Sequence, residues 1–164
     1  MRSNFDNFRN LLSSPFTFRL FLIKNLPLAF FVGLKVVEFS HQQTSVTVRK
    51  KWFNNNPFQS IYFAVLSMAA ELSTGLISSA GIYKRKPVVS MLIVKMDGSF
   101  YKKATGTIVF SCKDVEKILE AIEQSLQTAE GTTVICNSKG VNEAGEIVAE
   151  FNFTWSFKAR RQRI

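Results

Sequence analysis

The chain predicts an α+β fold in which one long buried helix packs against an antiparallel sheet. Three features carry that reading. From Ser60 to about Ala80 no proline interrupts the chain, and Ile61, Val65, Met68, Leu72 and Leu76 recur at helical spacing. Phe63, Leu66, Ala69, Ala70 and Ile77 make most of the other faces apolar as well, which predicts a helix enclosed by its neighbours. On both sides of it lie segments that alternate with period two, as half-buried antiparallel strands do.

The elements follow in order. Phe5, Phe8, Leu11 and Leu12 fit a short amphipathic helix. Ser14-Pro15 supplies an N-cap and a first-turn proline for a second, which carries Phe16, Leu20 and Ile23 on one side and ends near Asn25, before Pro27. Both helices are expected to lie as a lid or brace on the main body. Leu34 to Phe39 reads as a strand, Ser40 to Gln43 as a turn, and Thr44 to Trp52 as the return strand of a hairpin, with Val46 and Val48 on one face and Thr47 and Arg49 on the other. A polar loop, Asn54-Asn55-Asn56-Pro57, precedes the long helix, which Gly81 and the run Lys84-Arg85-Lys86-Pro87 end. Val88 to Val94, or as far as Met96, is a strand, and Thr105 to Cys112 another. Ser111-Cys112-Lys113-Asp114 resembles a capping box opening a helix with Val115, Ile118, Leu119, Ile122 and Leu126 inward, stopped by Gly131. Thr132 to Asn137 and Glu146 to Lys158 complete the sheet. In the last strand Phe151, Phe153, Trp155 and Phe157 point one way.

At 164 residues one domain spanning 1–164 is expected: a helical extension over 1–30, a core over 31–158 and a basic tail over 159–164 that contains Arg160, Arg161 and Arg163. Sixteen phenylalanines suggest a thick apolar core and a pocket or interface walled with rings. The net charge of +9 favours anionic partners: nucleic acid, membrane headgroups or phosphorylated small molecules. Cys112 and Cys136 lack metal-ligand spacing and read as buried thiols, with a bridge between neighbouring strands as the alternative. Arg19, Lys24 and Pro27 interrupt the apolar run from Phe16 to Val37, so neither a membrane span nor a signal sequence is expected there. A cytoplasmic protein follows as the expectation, with peripheral membrane contact by the N-terminal helices kept as a further possibility.

One stripe of the long helix is distinctive. Ser60, Ala64, Ser67, Glu71, Thr74 and Ser78 succeed one another at helical steps, and all but Glu71 are small. Such a stripe admits a close ligand or subunit. Glu71 is the only ionisable group of the helix, and burying a carboxylate is costly unless it is paired, hydrogen-bonded or protonated. Either it lies at a cleft or subunit seam, or its pKa is perturbed; the plainer alternative is that it caps a neighbouring loop or pairs with a lysine.

Two strands, a long apolar helix, and the remainder of a curved antiparallel sheet wrapped around it resemble the hotdog fold. The sequence is similar to small hotdog thioesterases, which carry an Asn in the loop, a His-Gly-Gly at the helix start and an acid two turns on. Here Asn56 matches the Asn, Tyr62, Phe63 and Ala64 stand at the His-Gly-Gly, and Glu71, fifteen residues after Asn56, matches the acid. The match is to a thioesterase-like branch of largely uncharacterised proteins and covers about Leu34 to Lys158, without the N-terminal helices. It implies thioester hydrolysis on acyl-CoA or a related acyl thioester, with no cofactor beyond the CoA of the substrate. It implies Glu71 as base or nucleophile, Asn56 positioning water or thioester, and backbone N–H groups around Tyr62, Phe63 and Ala64 polarising the carbonyl. The Tyr62 hydroxyl would replace the missing His. Ser60 and Ser67 would line the substrate path. Lys84, Arg85, Lys86, Lys102 and Lys103, with the arginine tail, would meet the CoA phosphates. It also implies a homodimer or dimer of dimers with sites at the seam.

Plainer readings stand beside these. Asn56 is also placed for an Asx-turn before Pro57, Tyr62 for an ordinary amphipathic position, and each basic cluster for a solvated face. The fold equally supports a non-catalytic acyl or lipid binder. Nucleic-acid binding rests on charge alone and lacks an aromatic-basic motif on one strand. His41, the single histidine, sits in a turn, so no Ser-His or Cys-His dyad is supported. No phosphate-binding glycine loop and no metal-ligand cluster is present in the sequence.

Overall fold

A helix of 20 residues, flat against a six-stranded antiparallel sheet, forms the centre of the protein. The computed structural model describes residues 2–160. In chain order the elements are α1 (Arg2–Leu12), α2 (Pro15–Asn25), α3 (Pro27–Phe31), β1 (Lys35–Phe39), β2 (Thr44–Arg49), α4 (Phe63–Ile82), β3 (Val89–Phe100), β4 (Thr107–Cys112), α5 (Val115–Thr128), β5 (Gly131–Val141) and β6 (Ile147–Ala159). The sheet order is β1-β2-β4-β5-β6-β3, so β1 and β3 are its edges.

Alternation in the strands decides what faces α4. Val46 and Val48 of β2, Ile108 and Phe110 of β4, and Phe151, Phe153, Trp155 and Phe157 of β6 are buried, while Thr47, Arg49, Asn152 and Thr154 turn to the other face. Against them α4 buries Val65, Leu66, Ala69, Ala70, Leu72, Leu76 and Ile77. Each fully buried aromatic or branched side chain here stabilises the fold by about 1.5–3 kcal/mol relative to exposure. Two polar bonds lie inside this layer. Trp155 Nε1 donates to Thr74 Oγ1 at 2.9 Å, and Ser73 Oγ meets Ser138 Oγ at 2.8 Å. α4 is also long and apolar enough to cross a membrane, but most of it is buried as the core helix of this sheet.

Several local expectations are corrected. α4 begins at Phe63, not Ser60, because Ile61 N–H donates to Ala104 O and Tyr62 N–H to Asn54 O, which holds both in extended conformation. It continues through Gly81 to Ile82, with Gly81 against Ile122 and Leu119 of α5. α2 turns Phe18 and Leu22 into the core and leaves Phe16, Leu20 and Ile23 outside, since it is apolar nearly all round and packing, not periodicity, selects the face. The expected capping box before α5 does not form. Asp114 precedes the helix, but its carboxylate accepts the Asn137 N–H at 2.8 Å and pairs with Lys117 at 2.7 Å. α5 stops at Thr128 through left-handed Ala129, and Gly131 opens β5 instead. β5 runs on to Val141 because β4 pairs with its end on one side and β6 on the other. β3 runs through Asp97-Gly98 to Phe100, held by β6 throughout.

The N-terminal helices brace the body as expected. Phe5, Phe8 and Leu12 are buried, and Phe5 stacks on His41 with centroids 4.7 Å apart while His41 Nε2 lies 2.8 Å from Asp6 Oδ1. The β1–β2 turn is thereby tied to α1. Cys112 and Cys136 are buried free thiols, so the bridge considered from sequence is absent; burial pushes the Cys112 pKa up to about 12 and raises that of Cys136. Arg161 and Arg163 of the basic tail lie outside the described residues.

Candidate functional site

The loop before α4 is built by its asparagines. Asn54 is fully buried, accepts the Lys51 N–H at 2.8 Å and donates to Arg49 O at 3.0 Å. Asn56 Oδ1 accepts the N–H groups of Phe58 at 3.0 Å and Ser60 at 3.2 Å, and its Nδ2 lies 3.0 Å from Ser60 Oγ. Asn56 is thus the Asx-turn organiser of the loop, and one Nδ2 hydrogen is left over for a ligand.

The loop forms one wall of an open groove of about 350 Å³. Asn56, Ser60 and Phe63 line it together with Lys102 and Lys103, so five of the residues singled out from sequence meet here. Phe58, Phe100 and Tyr101 supply further aromatic walls that sequence reading missed. Phe63 and Phe100 pack edge to face with centroids 6.5 Å apart. Their signal was weak: Phe100-Tyr101 directly precedes Lys102-Lys103 in the chain, but only the antiparallel return of β3 brings them beside the helix start. The groove is lined by apolar and aromatic side chains and by two lysines, of which Lys102 is engaged by Glu146.

The helix N-terminus opens on this groove. Among the described residues the N–H groups of Phe63 and Ala64 carry no hydrogen bond, as first-turn donors of a helix do not. They are free to meet a partial negative charge at the positive end of the helix dipole. The Tyr62 N–H is not free, since Asn54 O takes it. The Tyr62 side chain is exposed and its ring packs on Phe63 at 4.9 Å.

Glu71 lies eight residues beyond Phe63, about 12 Å along the axis. It is half-buried, on a face that also exposes parts of Ala64, Ser67 and Met68. Its carboxylate has no hydrogen bond or ion pair among the described residues, and burial raises its pKa to about 7. The alternative that it pairs with a lysine therefore falls. Gly75 makes room for it: a Cβ there would stand 2.7 Å from Glu71 Oε1. One turn before it, Ser67 Oγ is buried without a partner. The stripe of small residues divides here. Ala64, Ser67 and Glu71 are partly exposed, whereas Thr74 and Ser78 are fully buried, Thr74 against Trp155 of β6.

Within one chain Glu71 does not line the groove. Lys84 and Arg85 are farther still, at the opposite end of α4, about 30 Å from its start for a helix of 20 residues. Arg85 is committed there to Gly81 O at 3.0 Å and Glu123 at 2.8 Å, and Lys84 lies over the Tyr83 ring. β3, which packs beside α4, is an edge of the sheet that pairs only with β6 among the described residues, and it exposes Leu92, Val94 and Met96.

A family model described as Domain of unknown function (DUF4442) matches residues 17–157. No curated protein matches the sequence. Among solved structures, a Pseudomonas aeruginosa protein of unknown function named a probable thioesterase superposes with a TM-score of 0.74 at 18% identity, over 90% of this chain and 97% of that one. A Staphylococcus aureus thioesterase enzyme gives 0.61 at 11% identity, over 80% and 98%. The E. coli PaaI protein from the phenylacetic acid degradation operon gives 0.60 at 12% identity, over 83% and 87%. These likenesses establish the hotdog fold.

Proposed function

The chain belongs to the DUF4442 family, and we propose that it hydrolyses acyl thioesters, with Glu71 as base or nucleophile. One observation carries the reading. A carboxylate on the central helix sits half-buried, without a partner among the described residues, with its pKa raised to about 7, on a partly exposed face. A structural carboxylate would be paired or solvated; this one is poised near neutral pH, where a general base works best. Two solved structures of the same fold, one named a probable thioesterase and one a thioesterase enzyme, support the reading.

In the proposed reaction ionised Glu71 removes a proton from water as the oxygen adds to the thioester carbon. The N–H groups of Phe63 and Ala64 stabilise the developing oxyanion, an interaction worth about 3–4 kcal/mol per good donor. The C–S bond then breaks, and the thiolate takes the proton back from Glu71 to leave as a thiol. The aromatic groove holds the apolar part of the substrate, and Lys103, with Lys102, meets phosphate at its mouth. Since Glu71 and the groove are separate in one chain, the working site requires a second subunit across the β3 edge, with the groove of one chain facing the Glu71 of the other.

Free-thiol release from short, long and aromatic acyl-CoAs tests this. Glu71→Ala should lower turnover by roughly 10²–10⁴-fold, and wild-type turnover should rise with pH through about 7 as the base ionises. Turnover that persists in Glu71→Ala would remove the mechanism. A second reading draws on Phe63, which stands where close carbonyl approach favours glycine: the groove then binds acyl groups without cleaving them. Acyl-CoA binding with no thiol release from any substrate would establish it.

A further inference from the structure

We infer that the outer face of α2 and α3, with the turn at Trp52, is a docking surface for an anionic lipid bilayer. Phe16, Leu20 and Ile23 lie within about 60° of one another around α2, at 100° per residue. All three are at least half exposed or nearly so, at 70%, 50% and 49%. This stripe points away from buried Phe18 and Leu22, so the core makes no use of it. Leu28 and Phe31 extend the exposed apolar surface along α3.

The charge around the stripe selects the partner. On the same helical wheel Arg19 falls on one flank and Lys24 on the other. No acidic residue occurs between Asp6 and Glu38, nor between Glu38 and Glu71, whereas those segments hold Arg9, Arg19, Lys24, Lys35, Arg49, Lys50 and Lys51. Because the opposite side of α2 is buried in the protein, what it presents outward is an apolar stripe rimmed by cations, which suits the interface of an anionic bilayer. The same rim argues against a second copy of this chain as the occupant, since two-fold pairing would bring like charges together.

An independent element repeats the pattern. Trp52 is 93% exposed, follows Arg49-Lys50-Lys51 and precedes exposed Phe53. Lys51 Nζ lies against Gly33, two residues past the end of α3, so the basic-aromatic turn sits beside the end of the helix that carries exposed Leu28 and Phe31. Tryptophan favours the headgroup level of a bilayer, where its ring is half in hydrocarbon and its N–H stays wet.

Co-sedimentation of the full chain with phosphatidylcholine vesicles, with and without phosphatidylglycerol, tests the assignment. At low salt, binding to the anionic vesicles should exceed binding to the neutral ones at least tenfold and should fall as salt is raised. Phe16→Ser/Leu20→Ser/Ile23→Ser, which touches no core residue, should lose at least tenfold in binding with its circular dichroism unchanged. Arg19→Gln/Lys24→Gln, which keeps the apolar stripe, should lose the preference for anionic lipid. Trp52 emission should shift to the blue on binding, a signal absent in Trp52→Phe. Failure of the wild type to pellet with anionic vesicles would overturn the proposal. So would full binding by both stripe variants, or an apolar-stripe variant that changes only the mass of the protein in solution.

Discussion

Glu71 combines burial with the lack of a partner among the described residues, and that combination makes it visible to stability as well as to turnover. Its pKa is raised from an ordinary 4.5 to about 7 by burial. Below about pH 4 the folded and unfolded chains both hold the proton, and the residue costs nothing. Between about pH 4.5 and 7 the unfolded chain ionises first, so the cost grows with pH; above about 7 it is complete, on the order of 3 kcal/mol. Glu71→Gln should accordingly be more stable than wild type at pH 8 and equal to it near pH 4 in denaturant titrations. A variant less stable than wild type at pH 8 would mean that the carboxylate has a stabilising partner in solution. Asn56 illustrates the opposite case. Its amide is largely spent on the turn, so its substitution disturbs loop order before it disturbs chemistry.

At the scale of elements, α4 is held to the sheet by a few buried polar contacts set within apolar packing. Thr74 Oγ1 accepts from Trp155 Nε1 across the interface of α4 and β6. Thr74→Val keeps the shape but leaves the indole N–H unpaired in the core, which should cost about 1–3 kcal/mol. The shift appears as a lower denaturant midpoint with an unchanged m-value. An unchanged midpoint would show that the contact is dispensable. The same contact explains why the small-residue stripe is not one surface. Sequence shows six small or acidic residues at helical steps; Thr74, under Trp155, and Ser78 are fully buried, while Ala64, Ser67 and Glu71 are partly exposed. In α2 the apolar residues surround the helix, and a helix of that kind carries no internal record of which side faces the core.

For the whole molecule, the β3 edge is the exposed feature that most requires an explanation. It is a strand of 12 residues at a sheet edge, with Leu92, Val94 and Met96 uncovered. Long apolar edges invite pairing with another chain. Joining two copies there would extend the sheet and close the open face of α4, so sedimentation equilibrium should give the mass of two chains or a multiple. Val94→Lys/Met96→Lys should give one chain with native circular dichroism and at least tenfold lower turnover. A wild type of single-chain mass that hydrolyses thioesters would reject the shared site.

The amino-acid sequence by itself determined the elements whose periodicity is one-sided. β6 alternates aromatics with polar residues and β2 alternates Val46 and Val48 with Thr47 and Arg49, and α4, apolar on most faces, reads as enclosed, so an antiparallel sheet packed on a long buried helix was legible from them, and the hotdog fold as a resemblance of that element order. Asn56 and Glu71 were legible as a spacing. Only the tertiary structure decided which asparagine is buried, which face of α2 is outside, where β5 ends, and that Phe100 and Tyr101 share a groove with Lys102 and Lys103. It also decided that Lys84 and Arg85 lie at the far end of α4 from that groove. The physical reason is one of range. Periodicity reports a local preference for one face or conformation, whereas a hydrogen bond between strands, or the cover a sheet gives one half of a helix, belongs to residues far apart in the chain.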